Sequence, residues 1–201
     1  MNRVENPFSP GAGTPPPALV GRSVLLEDID TLLGRLKAGR SVQNILLTGL
    51  RGVGKTVLLT ETRHYARRRS VESVFFEASE EKSLSASLMA PLKNVLFDLD
   101  RMEGAKNAVR RGLVALRNFL GTVHLDIGPF GLDIEPQHGL ADSGDLESDL
   151  TALFLCVGEA AAEKSTAVLL VVDEIQNLSG TDFGALIMAL HRMQQERLPV
   201  G

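Results

Sequence analysis

Apolar residues recur along this chain at two different periods, and the places where the period changes divide it into elements. Ile29, Leu32, Leu33 and Leu36 follow one another at three- and four-residue spacing, which predicts a helix over residues 23–39. Gly39 then supplies the left-handed turn that ends it. Residues 44–48 (NILLT) form a short apolar run with no amphipathic rhythm beside a glycine-rich segment. That predicts a strand buried on both faces of a parallel sheet. A second helix follows over residues 55–69, then a β-branched and aromatic run at residues 74–77.

Residues 85–102 read as a helix with Leu88, Leu92, Val95, Leu96 and Leu99 on one side, and residues 106–120 as another. The period then shortens to two: Val123, Leu125 and Ile127 alternate with polar residues, GPFG turns the chain, and Leu132 and Ile134 alternate again. This predicts a hairpin or two extended pieces. Asp145 caps a helix whose stripe is Leu146, Leu150, Leu153, Phe154 and Val157. VLLVV at residues 168–172 is the most strand-like run of all and ends in Asp173 and Glu174. A last helix after Ser179 is expected to carry Phe183, Leu186, Ile187, Leu190 and Met193 inward.

Strands separated by helices define an α/β class with a mostly parallel sheet. Five of the nine prolines fall in the first 17 residues, where fixed φ and missing amide donors exclude helix and central strand. Residues 1–19 are therefore expected to be an extended arm and residues 20–201 the folded core. No apolar run approaches the roughly 18 residues that span a bilayer, and no basic-then-apolar leader opens the chain, so a soluble, cytoplasmic protein with no membrane contact is expected. The lone Cys156 excludes an internal disulfide, and four scattered histidines exclude a zinc finger.

Charge adds one detail. Residues 118–163 hold nine acidic side chains and no Lys or Arg, which reads as solvated helix faces and loops. Arg63, Arg67, Arg68 and Arg69 crowd the end of the second predicted helix, where they complement its dipole. With a net charge of −4, nothing in this segment supports a nucleic-acid partner.

The chemistry lies in GLRGVGKT. Residues 49–56 fit the pattern G-x-x-x-x-G-K-[ST], between a predicted strand and a predicted helix. A polyphosphate is held by converging backbone N–H groups, which need positions free of side chains and open to unusual dihedrals. Gly49, Leu50, Gly52, Val53, Gly54, Lys55, Thr56 and Val57 are the expected nucleotide-binding residues. Lys55 is expected to bridge the β- and γ-phosphates, and the Thr56 hydroxyl to coordinate Mg²⁺. At the end of the apolar run VLLVVDE, Asp173 is the expected second magnesium residue, delivered to the same sheet edge as the loop. Glu174 is placed to polarise a water for attack on the γ-phosphate, with Lys55 as its catalytic companion.

GLRGVGKT, LLVVDE and ALVGRSVLLEDIDTLLGRL together resemble the AAA+ and related STAND ATPases, in particular bacterial proteins with an origin-recognition-complex-like AAA ATPase domain. The likeness covers roughly residues 6–55 and 167–198. It implies a three-layer P-loop NTPase core interrupted by a helical and hairpin insertion, with ATP or ADP as ligand and Mg²⁺ as cofactor. It also implies that Val20, Gly21 and Arg22 lie at the base and ribose end of the nucleotide. In this family a polar residue at the end of the second strand restrains the catalytic glutamate, a place that Glu77 or Ser79 would fill. The family's next strand begins where Leu198, Pro199, Val200 and Gly201 stand. The resemblance thus implies a sheet incomplete at its C-terminal side, residues 44–48 as an unpaired edge, and sensor, lid and arginine finger on a longer chain or a partner.

The expected function is ATP binding, with magnesium-dependent hydrolysis as a conformational switch in a larger protein. The alternative is a nucleotide-binding regulator or scaffold with little hydrolysis, its partner a second copy, another protein or DNA. A small GTPase is disfavoured because neither D-x-x-G nor N-K-x-D occurs.

Overall fold

The computed structural model describes residues 21–102, 106–122 and 138–201. The arm expected at residues 1–19, and the hairpin expected between Val123 and Ile134, lie outside the described residues. In chain order the elements are α1 (Ser23–Lys37), α2 (Lys55–Arg68), β1 (Glu72–Glu77), α3 (Leu84–Arg101), α4 (Lys106–Thr122), α5 (Leu146–Glu163), β2 (Val168–Asp173), a 3₁₀ turn (Ile175–Asn177) and α6 (Gly180–Gln195).

Local chemistry sets the ends of these elements. The Gly39 N–H donates to the Leu36 carbonyl at 3.0 Å from a backbone with φ +63°, closing α1; a residue with a Cβ is strained there. Ser83, Asp145 and Ser179 cap α3, α5 and α6, each side chain accepting the N–H three residues on.

β1 and β2 pair in parallel from Glu72↔Val168 to Glu77↔Asp173. Alternate residues of β2 face different apolar clusters. Leu169 and Val171 join Ile29, Leu33 and Leu36 of α1 with Leu58 and Ala66 of α2. Val168, with Leu170 and Val172 packed against it, faces the larger cluster built from α3, α4, α5 and α6. The period of two in the strand and of 3.6 in the helices is what lets both sides be apolar at once. On the edge away from β1, Val168 bridges Val200, and the Leu170 N–H donates to the Gly201 carbonyl at 2.7 Å.

Two expectations need correction. Residues 44–48 do not form a strand. Residues 44–47 and β2 together line a cleft of about 310 Å³, and the backbone of residues 44–48 meets no partner strand among the described residues. Ile45 and Leu46 are 41% and 66% exposed. Among the described residues the sheet has two strands, with an isolated parallel bridge from Val168 to Val200. Phe183 and Ile187 of α6 are also not interior; they line the same cleft and are 41% and 38% exposed.

α5 approaches the segment after α6 closely, because Gly158 offers no side chain. A Cβ there would lie 2.9 Å from Leu198 Cβ and 3.2 Å from Val200 Cγ2. Gly158→Val is expected to destabilise the fold by about 1–3 kcal/mol through overpacking, measured as a lowered urea midpoint at unchanged slope.

Candidate nucleotide site

The loop between residues 49 and 54 turns on glycines. Gly52 and Gly54 sit at φ +83° and +86°, and Gly54 is the N-cap of α2 with no side-chain cap. The first turn of α2 therefore presents its N–H groups and positive dipole end without a capping oxygen. Leu50 and Val53 are 81% and 44% exposed, so these two positions offer the loop their backbone and turn their side chains outward. Val57 is half-buried one residue into the helix.

Lys55 reaches back over the loop, its Nζ donating to the carbonyls of Gly49 at 2.9 Å and Leu50 at 3.1 Å. The Thr56 hydroxyl donates to Asp173 Oδ2 at 2.8 Å, across 117 residues of sequence. Asp173 is buried at the end of β2, and its Oδ1 accepts the Glu174 N–H at 3.0 Å. Loop and strand end thus meet through a hydroxyl and a carboxylate, the hard oxygen donors that suit a magnesium ion shared with phosphate oxygens. Among the described residues no group of three or more His, Cys, Asp or Glu forms a metal cluster; a phosphate-shared magnesium needs only one or two protein carboxylates.

Glu174 follows at once, with φ +51° and ψ +39°, a left-handed conformation for a residue that carries a Cβ. Its carboxylate accepts a hydrogen bond from Gln176 Nε2. The positions expected to restrain it do not: Ser79 Oγ accepts from the Glu81 N–H at 3.2 Å, and Glu77 is exposed. Gln176 was not legible as a partner, since only the turn that folds residue 176 back on 174 brings the two together. Lys55, Asp173, Glu174 and Gln176 all line the 310 Å³ cleft beside β2.

Of the three residues expected at the base end, Val20 lies outside the described residues. Gly21 is exposed with φ +78° and open space around it. Arg22 donates to the Val53 carbonyl, tying the start of α1 to the phosphate loop. A Cβ on Gly54 would stand 3.7 Å from Arg22 Nη2. This contact was not read from the sequence either.

The basic end of α2 is occupied by packing. Arg69 Nε donates to Asp30 Oδ1 at 2.6 Å, which holds the Asp30 carboxyl below its ordinary range. Arg63 lies 4.5 Å from the centre of the Phe75 ring and Arg68 4.2 Å from that of Tyr65.

Thr56→Val, similar in shape but without the hydroxyl, is expected to lower stability by about 1–3 kcal/mol, because buried Asp173 loses a partner. Thr56→Ser is expected to keep most of it. Urea unfolding without nucleotide reads both.

The comparisons bear on the whole of this arrangement. The family model of the AAA ATPase domain matches residues 18–200. No curated protein and no solved structure gives a significant match. The matched span takes in the glycine-rich loop, α2 and β2 with its terminal carboxylates. The chain belongs to the AAA ATPase domain family and is an AAA-type P-loop ATPase domain.

Proposed function

We propose that the chain binds Mg-ATP at residues 49–56 and hydrolyses it, with Glu174 as general base, to time a conformational change in a larger protein. The observation that carries this reading is the Thr56–Asp173 hydrogen bond, because it brings the loop and the strand end to one place. The N–H groups at the start of α2 would receive the phosphates, and Lys55 would exchange the Gly49 and Leu50 carbonyls for β- and γ-phosphate oxygens. Thr56 and Asp173 would hold magnesium, which supplies charge neutralisation on the phosphates. Arg22, already on the loop, would support its shape, with Val20 and Gly21 toward the base.

In the reaction, the Glu174 carboxylate takes a proton from a water as that water's oxygen bonds to the γ-phosphorus. The bond from the γ-phosphorus to the bridging oxygen breaks, and ADP and phosphate leave. The finer reading keeps the rest of the expected architecture: an arm over residues 1–19, a three-layer core over 20–201 related to the STAND and origin-recognition-complex-like groups, and a cytoplasmic setting.

A second reading, a nucleotide-binding regulator with little hydrolysis, draws support from the engagement of Glu174 by Gln176. The two readings part on turnover.

Lys55→Ala removes the cation that would meet two phosphates. Each charge-assisted bond lost weakens binding by about 10- to 100-fold, so ATP affinity is expected to fall by about 100-fold or more, read by calorimetry. Unchanged affinity would overturn the assignment of the loop. Glu174→Gln is expected to keep ATP affinity and lower kcat by about 10²- to 10⁴-fold, the range of general-base catalysis; equal turnover in both proteins would remove Glu174 from the reaction.

A further inference from the structure

We propose that the groove between α1 and α2, at the end of α2 remote from the phosphate loop, binds an acidic peptide segment of a partner protein. Two helix faces build it. Asp30, Gly34, Lys37 and Ala38 lie at helical spacing along α1 and its cap, and Tyr65, Arg68 and Arg69 do so along the last turn of α2. Together they line an open cleft of about 630 Å³.

The groove already holds one carboxylate. Arg69 donates through Nε to Asp30 Oδ1 at 2.6 Å and through Nη2 to Asp30 Oδ2, the two-point fork by which a guanidinium reads a carboxylate. Asp30 is the one acid among the described residues that line the cleft. Lys37 and Arg68 line it too, and among the described residues neither has a carboxylate within ion-pair distance. Arg68 lies over the Tyr65 ring, 4.2 Å from its centre, a contact that leaves its charge unneutralised. The last carbonyls of a helix repel an anion, but Lys37 Nζ donates to that of Arg69 at 2.9 Å and covers it. The end of α2 therefore meets the groove with cations in place of bare carbonyls.

The floor is kept low by a residue that packing does not demand. Gly34 lies inside α1, where glycine disfavours the helix. A Cβ there would meet nothing nearer than Arg69 Nη1 at 3.7 Å, an ordinary contact. The effect of the glycine is room for an extended segment to lie beside the Arg69 guanidinium. Carboxylates suit this surface better than a nucleic acid does. The chain carries 25 acidic against 21 basic side chains, which opposes a long polyanion beyond the groove. Its one ring, Tyr65, is engaged by Arg68 instead of standing free for a base. A short acidic segment keeps its charges within reach of Lys37, Arg68 and Arg69, as arginine clusters do when they read acidic motifs.

The test titrates fluorescein-labelled hexaglutamate against the whole chain at low salt, with anisotropy as the readout. Lys37→Gln/Arg68→Gln is expected to weaken binding about tenfold or more, the scale of two charge-assisted contacts at a surface. Gly34→Leu, which fills the floor without changing charge, is expected to weaken it about fivefold or more while the thermal midpoint stays level or rises. The charge-matched Lys106→Gln/Arg110→Gln, at two exposed positions of α4, is expected to stay within about twofold of wild type. Absence of hexaglutamate binding to wild type overturns the proposal, as does wild-type affinity in either groove variant or an equal loss in the α4 variant. Tighter binding of an oligothymidylate of equal charge, or of phosphatidylserine vesicles, also overturns it and assigns the groove to a nucleic acid or to a membrane surface.

Discussion

The hydrogen bond from Thr56 to Asp173 joins parts of the chain that nothing else in the phosphate loop reaches. The loop itself is exposed and built on glycines, and the segment before it has no strand partner among the described residues. α2 is held to the rest by its apolar stripe, which begins in its first turn with Leu58, buried against α1 and β2. The Thr56 hydroxyl adds a directional tie from that turn to the buried acid at the end of β2. Among the described residues no other side-chain hydrogen bond joins the loop, with Lys55 on its carbonyls, to the strand end.

The functional groups of this corner are all engaged with the protein itself: Lys55 with two loop carbonyls, Thr56 with Asp173, Glu174 with Gln176, Arg22 with the Val53 carbonyl. Their net energetic worth is modest, because each bond replaces one to water. Their value lies in orientation. Binding a nucleotide at such a site is an exchange of partners, so affinity and rate depend on how readily each internal contact yields.

Much of this was legible in the sequence. The turn at residues 49–54 and the helix after it could be read because closely spaced glycines admit left-handed backbone, and Gly52 and Gly54 do have positive φ. Asp173 and Glu174 could be placed because an apolar run must end at a sheet edge. Helices α1, α3 and α5 followed from three- and four-residue periodicity, and the cap of α5 from Asp145; the cap of α3 at Ser83 was not read. The errors share one cause. Residues 44–48 read as a strand, and Phe183 and Ile187 as interior, from apolar character alone, whereas residues 44–47, Phe183 and Ile187 line a cleft. Gln176 and Arg22 escaped notice because side-chain pairing across a turn or between elements leaves no periodic trace.

The full-length pairing of β2 with β1 bears on how the site responds to mechanical load. Along that edge the strand is bonded to β1 from its first residue up to the Ala78 N–H on the Asp173 carbonyl. Asn177 of the 3₁₀ turn donates its Nδ2 amide to the Ala78 carbonyl, so one residue beside β1 braces the chain on both sides of the two carboxylates. A force transmitted through the turn would pass into β1 as well as β2 and carry the acids as one body against the loop.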